Sequence, residues 1–227
     1  MFLQVVGELL MTVGTVLLLF VVWQLYWTSY EVEGPTRERI QAFQQEFPAG
    51  EESACSATQR TDDPPLIPEP QYMETFGVLH VPKWGMEIPI LQGTTREVLN
   101  GGNAGHYEYS QLPGQVGNFA LAGHRRTYGN NFRRVDIMEP GDPIVVETSD
   151  AWMVYEVTDH EIVLPHQTEV ILPVPNEPGV QATRRIMTMT TCHPEFGNAE
   201  RYILRSEMKY WVPKSEGTPQ VLCDQAQ

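Results

Sequence analysis

Cys192 lies in the run Thr188-Met189-Thr190-Thr191-Cys192-His193-Pro194, and Arg201 follows nine residues later. Far upstream stands His124, within Ala122-Gly123-His124-Arg125. A cysteine, a distant histidine and an arginine are the groups that thiol-based acyl transfer needs. The thiolate attacks a carbonyl, the imidazole moves protons, and the guanidinium donates to the developing oxyanion. Cys192 closes a stretch of Thr and Met and is followed by His193-Pro194, so the chain must leave the sheet at that point. A strand end of this kind is a rigid platform facing solvent.

Each of these residues also has a plainer reading. A free Cys is usually a small buried hydrophobe. A lone His is usually a satisfied surface or core side chain. Arg125, Arg126, Arg133, Arg134, Arg184, Arg185 and Arg205 could serve an oxyanion as well as Arg201 on spacing alone. His193 adjoins the thiol, but neighbours along a strand point to opposite faces, which makes it a poor proton partner. His80, His106, His160 and His166 show no metal-ligand spacing and no CxxC pair is present, so neither a metal nor a cofactor is expected.

These side chains must be positioned by a domain of ordinary size, because the chain has 227 residues, of which 41% are hydrophobic. Its formal charge is -14, and no basic patch is long enough to grip a phosphate backbone, which argues against nucleic acid as a partner. Residues 9–30 carry no charge, which is long enough for a helix to cross a bilayer core of roughly 30 Å. Trp23, Tyr26, Trp27 and Tyr30 cluster at its end as interfacial anchors do. A cleaved signal peptide would show a basic start, a shorter apolar core and an Ala-x-Ala-like exit, and none is present. A retained single-pass anchor is therefore expected. Arg37 and Arg39 follow it and no Lys or Arg precedes it, which by charge alone would keep the following domain inside. Long domains translocate largely regardless of such charges, so an extracytoplasmic domain is expected instead.

Four regions follow: an anchor at 1–30, a membrane-proximal helix and Pro-rich linker at 31–72, a catalytic domain at 73–212 and a tail at 213–227. Pro35 opens the helical pattern at 36–47, with Ile40, Phe43 and Phe47 on one side. Pro48, Pro64, Pro65, Pro68 and Pro70 make 48–72 a partly extended spacer between domain and membrane. From Phe76 onward short strand patterns dominate, with a turn at Trp84-Gly85, one or two helical turns at 94–100, and a hairpin through Ser149-Asp150. Strands so short and regularly spaced imply a closed barrel or a sandwich. Cys55 and Cys223 flank this domain; they could pair, or remain two unpaired thiols in the flanks.

The residues carry a resemblance. Leu112-Pro113-Gly114, then 117–125 (Gly-Asn-Phe-Ala-Leu-Ala-Gly-His-Arg), then Gly141-Asp142-Pro143-Ile144, then 188–194 and Arg201 together resemble the sortases, most of all the class E sortases of actinobacteria. The family's TLxTC signature is matched with Met189 at its Leu position. The likeness spans about residues 73 to 212. It implies a mainly β fold, a closed eight-stranded β-barrel with short helices, plus one N-terminal transmembrane helix. It puts the catalytic roles on His124, Cys192 and Arg201, and substrate contacts on Tyr128 and Thr191. It implies a membrane-anchored cysteine transpeptidase that cleaves an LAxTG- or LPxTG-like C-terminal sorting signal of secreted proteins between Thr and Gly. The acyl group would pass to an amine on a peptidoglycan precursor. A cysteine hydrolase using the same acyl-enzyme, and a membrane-tethered binding module without chemistry, are the alternatives.

Overall fold

The computed structural model describes residues 2–50, 55 and 58–224, without the side chains of 24–26. Met1, the anchor side chain of Tyr26, linker residues 51–54 and 56–57, and tail residues 225–227 lie outside the described residues.

Eight strands close into a barrel: β1 (Thr75–Val81), β2 (Met86–Gln92), β3 (Ala104–His106), β4 (Gly117–Ala122), β5 (Pro143–Glu147), β6 (Ala151–Val163), β7 (Arg185–His193) and β8 (Glu200–Pro213). Their order around the barrel is β1-β2-β3-β4-β7-β8-β6-β5. β4 and β7 run parallel, whereas β7 pairs with β8 antiparallel. Closure removes every exposed edge. The interior is filled by alternate residues, among them Leu79, Ile88, Ile90, Phe119, Leu121, Met187, Met189, Tyr202 and Leu204. The hairpin β5–β6 forms as the sequence predicts, pairing Glu147 with Trp152. β6 runs on to Val163, carried past two register shifts.

Two expectations about the flanks are corrected. The anchor and the membrane-proximal helix are one helix, α1 (Phe2–Glu46), with Pro35 inside it. Proline there removes the N–H that would bond the carbonyl of Glu31, but both residues are exposed, so water can satisfy that carbonyl. Ile40 and Phe43 pack on Val78 of β1, which holds the helix beyond the proline. The stretch 58–72 is not a spacer either. Arg60 exchanges backbone hydrogen bonds with Trp211 of β8, Ile67 joins the barrel core, and Asp63 pairs with Arg185. Proline forbids regular structure here but does not prevent packing. Cys55 and Cys223 are joined, 168 residues apart in sequence, and Cys192 is the free thiol.

Beneath α1 lies a buried charged cluster. Glu147 accepts from His80 Nε2 at 2.8 Å and from Gln44 of α1 at 3.2 Å, and Lys214 Nζ sits 2.6 Å from its second oxygen. The His80 and Lys214 partners hold Glu147 below the usual carboxylate range despite its burial, and Glu147 with Glu87 raises His80 against its own burial.

Candidate active site

The alternation of the strands decides which way each side chain points. On β7, Met187 and Met189 face the interior, so Thr188, Thr190 and Cys192 face outward. Cys192 is the register partner of Arg201 on β8, and directly opposed residues of an antiparallel pair share a face. On β4, Phe119 and Leu121 face inward, and Ala122 stands beside Thr190. The ladder continues through Gly123, whose N–H donates to the Thr190 carbonyl at 3.1 Å. Carrying that alternation one residue further puts His124 on the outer face, level with Cys192. Cys192 and Arg201 thus face each other at the paired ends of β7 and β8, and His124 follows the end of the adjacent β4 by two residues.

His124 Nε2 is 2.8 Å from Asn100 Oδ1. An amide oxygen only accepts, so Nε2 carries the proton and Nδ1 is left to exchange one. Asn100 follows the short helix α2 (Arg96–Leu99), which Thr95 caps through the Val98 N–H. The Tyr128 ring lies 5.2 Å from the His124 ring, so Tyr128 sits beside the proposed groove. Burial lowers the His124 pKa below the ordinary imidazole value, favouring the neutral ring near pH 7. Arg201 donates to the carbonyls of Asn198 and Glu200, both at 2.9 Å. Those bonds hold the guanidinium at the mouth of the loop between β7 and β8.

Thr191 is not brought into the groove. It is buried and faces the interior, and its hydroxyl donates to the Gly123 carbonyl at 2.7 Å. Its contribution is to lock the end of β4 against β7. His193 also turns inward: its Nδ1 accepts from Arg125 at 3.2 Å. Arg125, only 3% exposed, also donates to the Cys192 carbonyl at 3.3 Å and pairs with Asp136 at 2.8 Å. Sequence reasoning included Arg125 among the candidates for oxyanion contact; the structure commits it to the backbone under the thiol. Asn100 was missed altogether. Its only signal was an Asn closing a helical turn before Gly101-Gly102, a pattern common in turns of no function.

The outer-face floor of the site is made of small residues, Ala120, Ala122, Thr188 and Thr190, with the Tyr107 hydroxyl 3.0 Å from Thr190 Oγ1. The 164–184 segment covers part of this face: Val170 packs on Ile203 of β8, and Asn118 donates to the carbonyls of Val170 and Leu172. A cavity of about 1110 Å³ lies elsewhere, between α1 and the barrel, and is not lined by Cys192, His124 or Arg201. Among the described residues no cluster of His, Cys, Asp and Glu could hold a metal.

A closed barrel with a free thiol, an arginine and a histidine on three adjoining strand ends defines a thiol acyl-transfer class. Comparison with known proteins makes the class specific. The Sortase domain family matches residues 79–209. Sortase SrtE1 of Streptomyces coelicolor is 35% identical over 96% of this chain, which spans 60% of that relative's length. Sortase SrtE2 of the same organism is 34% identical over 90% of this chain and 81% of its own. Among solved structures, the SrtA sortase from Actinomyces oris superposes with a TM-score of 0.70 at 51% identity, covering 72% of this chain and 96% of that one. Sortase E1 from S. coelicolor with a tripeptide in the active site superposes with a TM-score of 0.62 at 40% identity, covering 66% of this chain and 96% of that one. The chain belongs to the sortase family of cysteine transpeptidases.

Proposed function

We propose that this sortase is anchored by residues 9–30, displays its barrel outside the membrane, and transfers secreted proteins onto the cell wall. In this reading it recognises an LAxTG- or LPxTG-like signal at the cargo's C-terminus. Cys192 attacks the Thr carbonyl of the Thr–Gly bond, because the thiolate and not the thiol is the nucleophile. The neutral His124 favoured by burial can take the thiol proton on Nδ1. Arg201 donates to the oxyanion of the tetrahedral intermediate. His124, now an imidazolium, protonates the leaving Gly amine, and a thioester remains on Cys192. An amine on a peptidoglycan precursor then attacks the thioester, and His124 accepts the amine's proton as the new amide forms.

The observation that carries the reading is the register of Cys192 with Arg201, with His124 on the neighbouring strand end. The Cys55–Cys223 bridge supports the extracytoplasmic side, since such bonds persist in oxidising compartments. The test is to incubate the full chain with peptides that vary the residue before x in the signal, with and without an added amine, and to weigh the products. A thioester on Cys192 and an amine-dependent amide product are expected. Hydrolysed peptide alone, unchanged by amine, would make the chain a hydrolase. No adduct with any signal peptide, with the thiol intact, would make it a binding module.

A further inference from the structure

The barrel-facing stripe of α1 reads Ser29, Val32, Thr36, Arg39, Ile40 and Phe43, one face of a helix. Its far end is apolar and docks on Val78. Its membrane-proximal end is different, because the polar side chains there reach the two elements that hold His124. Arg39 Nη1 donates to the Gly101 carbonyl at 3.2 Å and to Asn103 Oδ1 at 3.3 Å. Thr36 Oγ1 donates to the same Gly101 carbonyl at 3.4 Å. Gly101 directly follows Asn100, whose amide oxygen accepts a hydrogen bond from His124 Nε2. Asn103 is itself fixed, its Nδ2 donating to the Val98 carbonyl at 2.7 Å. On the other side, Asn130 Nδ2 donates to Ser29 Oγ at 3.1 Å. Asn130 stands two residues from Tyr128, whose ring lies against His124.

The approach is close. Gly102 has φ +75°, and a Cβ there would meet Thr36 Oγ1 at 2.7 Å and Val32 at 3.0 Å. Ile40 and Phe43 pack the far end of the helix on the barrel, whereas the polar contacts of Ser29, Thr36 and Arg39 fall on both loops that flank one imidazole. We propose that Ser29, Thr36 and Arg39 are positioning residues for His124, so that the helix leaving the membrane completes the active site. Arg39 has the largest share, since its Nη1 alone ties the Gly101 carbonyl to Asn103 Oδ1 and through them fixes the placement of Asn100, a pair of contacts that a lysine ammonium can also make. This inference rests on the reading of His124 as the proton carrier.

The experiment uses the full chain in lipid nanodiscs, comparing wild type, R39A, R39K, T36V and the control R37A. Arg37 is exposed and pairs with Glu33 one turn back along the helix. Turnover of a signal peptide with an added amine gives kcat and KM, and the His124 ring resonances are followed by NMR against pH. R39A should lower kcat about tenfold with KM within about twofold, the scale expected for a misplaced catalytic group. R39K should recover most of that loss, T36V should lose less than R39A, and R37A should match wild type. The His124 resonances should shift in R39A and not in R37A. Wild-type kcat and unchanged His124 resonances in R39A would overturn the proposal. So would a loss of kcat matched by a fall in melting temperature that R39K does not rescue. If wild type turns over no peptide, the functional reading fails by itself, while the His124 resonances still decide whether the helix holds the ring.

Discussion

Cys192 and Arg201 are direct partners across the antiparallel β7–β8 ladder, which places their Cβ atoms roughly 4.5–5.5 Å apart on the barrel's outer face. A slip of one residue in either strand would turn the thiol or the guanidinium into the core. The site is therefore specified by the same alternation that buries Met189 and Leu204.

On the proposed reading, Cys192→Ala removes the nucleophile without touching the fold. The residue is half-buried and its thiol is free. Thioester formation should be undetectable by mass spectrometry, while the melting temperature stays within about 2 °C of wild type, as for a change away from the core.

Arg201→Lys keeps the charge and loses the fork. Transfer should fall about 100-fold in kcat, the scale of one lost oxyanion donor, with a smaller change in KM. Steady-state kinetics on a signal peptide checks this, and a loss confined to KM would place Arg201 in ground-state binding instead.

Asn100 offers a pH test whose sign reverses with the substitution. Asn100→Asp sets a carboxylate against His124 Nε2, stabilises the imidazolium and should move the His-dependent limb of the rate profile to higher pH. Asn100→Ala removes the acceptor and should move the limb lower, adding to the depression that burial already causes. Both shifts are read from kcat/KM between about pH 5 and 9.

The Cys55–Cys223 bond spans 168 residues, so it restricts the unfolded chain strongly. The loop-entropy relation puts its effect at up to about 5 kcal/mol. Cys55→Ser should lower the melting temperature and leave kcat unchanged. Without reductant, maleimide should label one thiol per chain, at Cys192.

His106 is fully buried between Gln92 and the Gln111 carbonyl, and burial lowers its pKa to about 4. A depressed histidine takes up its proton more readily in the unfolded chain, so the folded state loses stability as pH falls from about 6.5 toward about 4. The full loss is roughly 3 kcal/mol. Comparing denaturant unfolding of wild type and His106→Gln across that window isolates it, since the variant lacks this slope. His80 acts in the opposite sense: its raised pKa contributes stability below about 6.5 that is lost as pH rises through the folded value.

β4, β7, β8 and the β5–β6 hairpin were legible because their apolar and β-branched residues alternate and end at turn residues. β3 was not, since Ala104-Gly105-His106 is three residues long and carries no pattern of its own. The break expected at Pro35 failed because one lost hydrogen bond at an exposed position is offset by the packing of Ile40 and Phe43 further on. The 58–72 stretch looked like a spacer because its partners, Trp211 and Arg185, are more than a hundred residues away. Cys192, His124 and Arg201 were legible by type and motif. Asn100 and Arg125 became visible only with contacts that no spacing encodes, and the pairing of Cys55 with Cys223 needed the fold that brings both flanks together.

In the proposed anchoring, the unbroken course of α1 sets the height of the barrel above the lipid. With residues 9–30 in the bilayer, Ser29 lies at the headgroup level, and Asn130 is bonded to it. On that proposal the loop carrying Tyr128 lies near the lipid surface, and the remaining 16 residues of the helix, a rod of about 24 Å, rise beside the barrel. A cargo still held in the same leaflet would be met at a constant elevation, through a two-dimensional search in the membrane plane, whereas a freely diffusing chain would have to find a groove pressed down toward the headgroups.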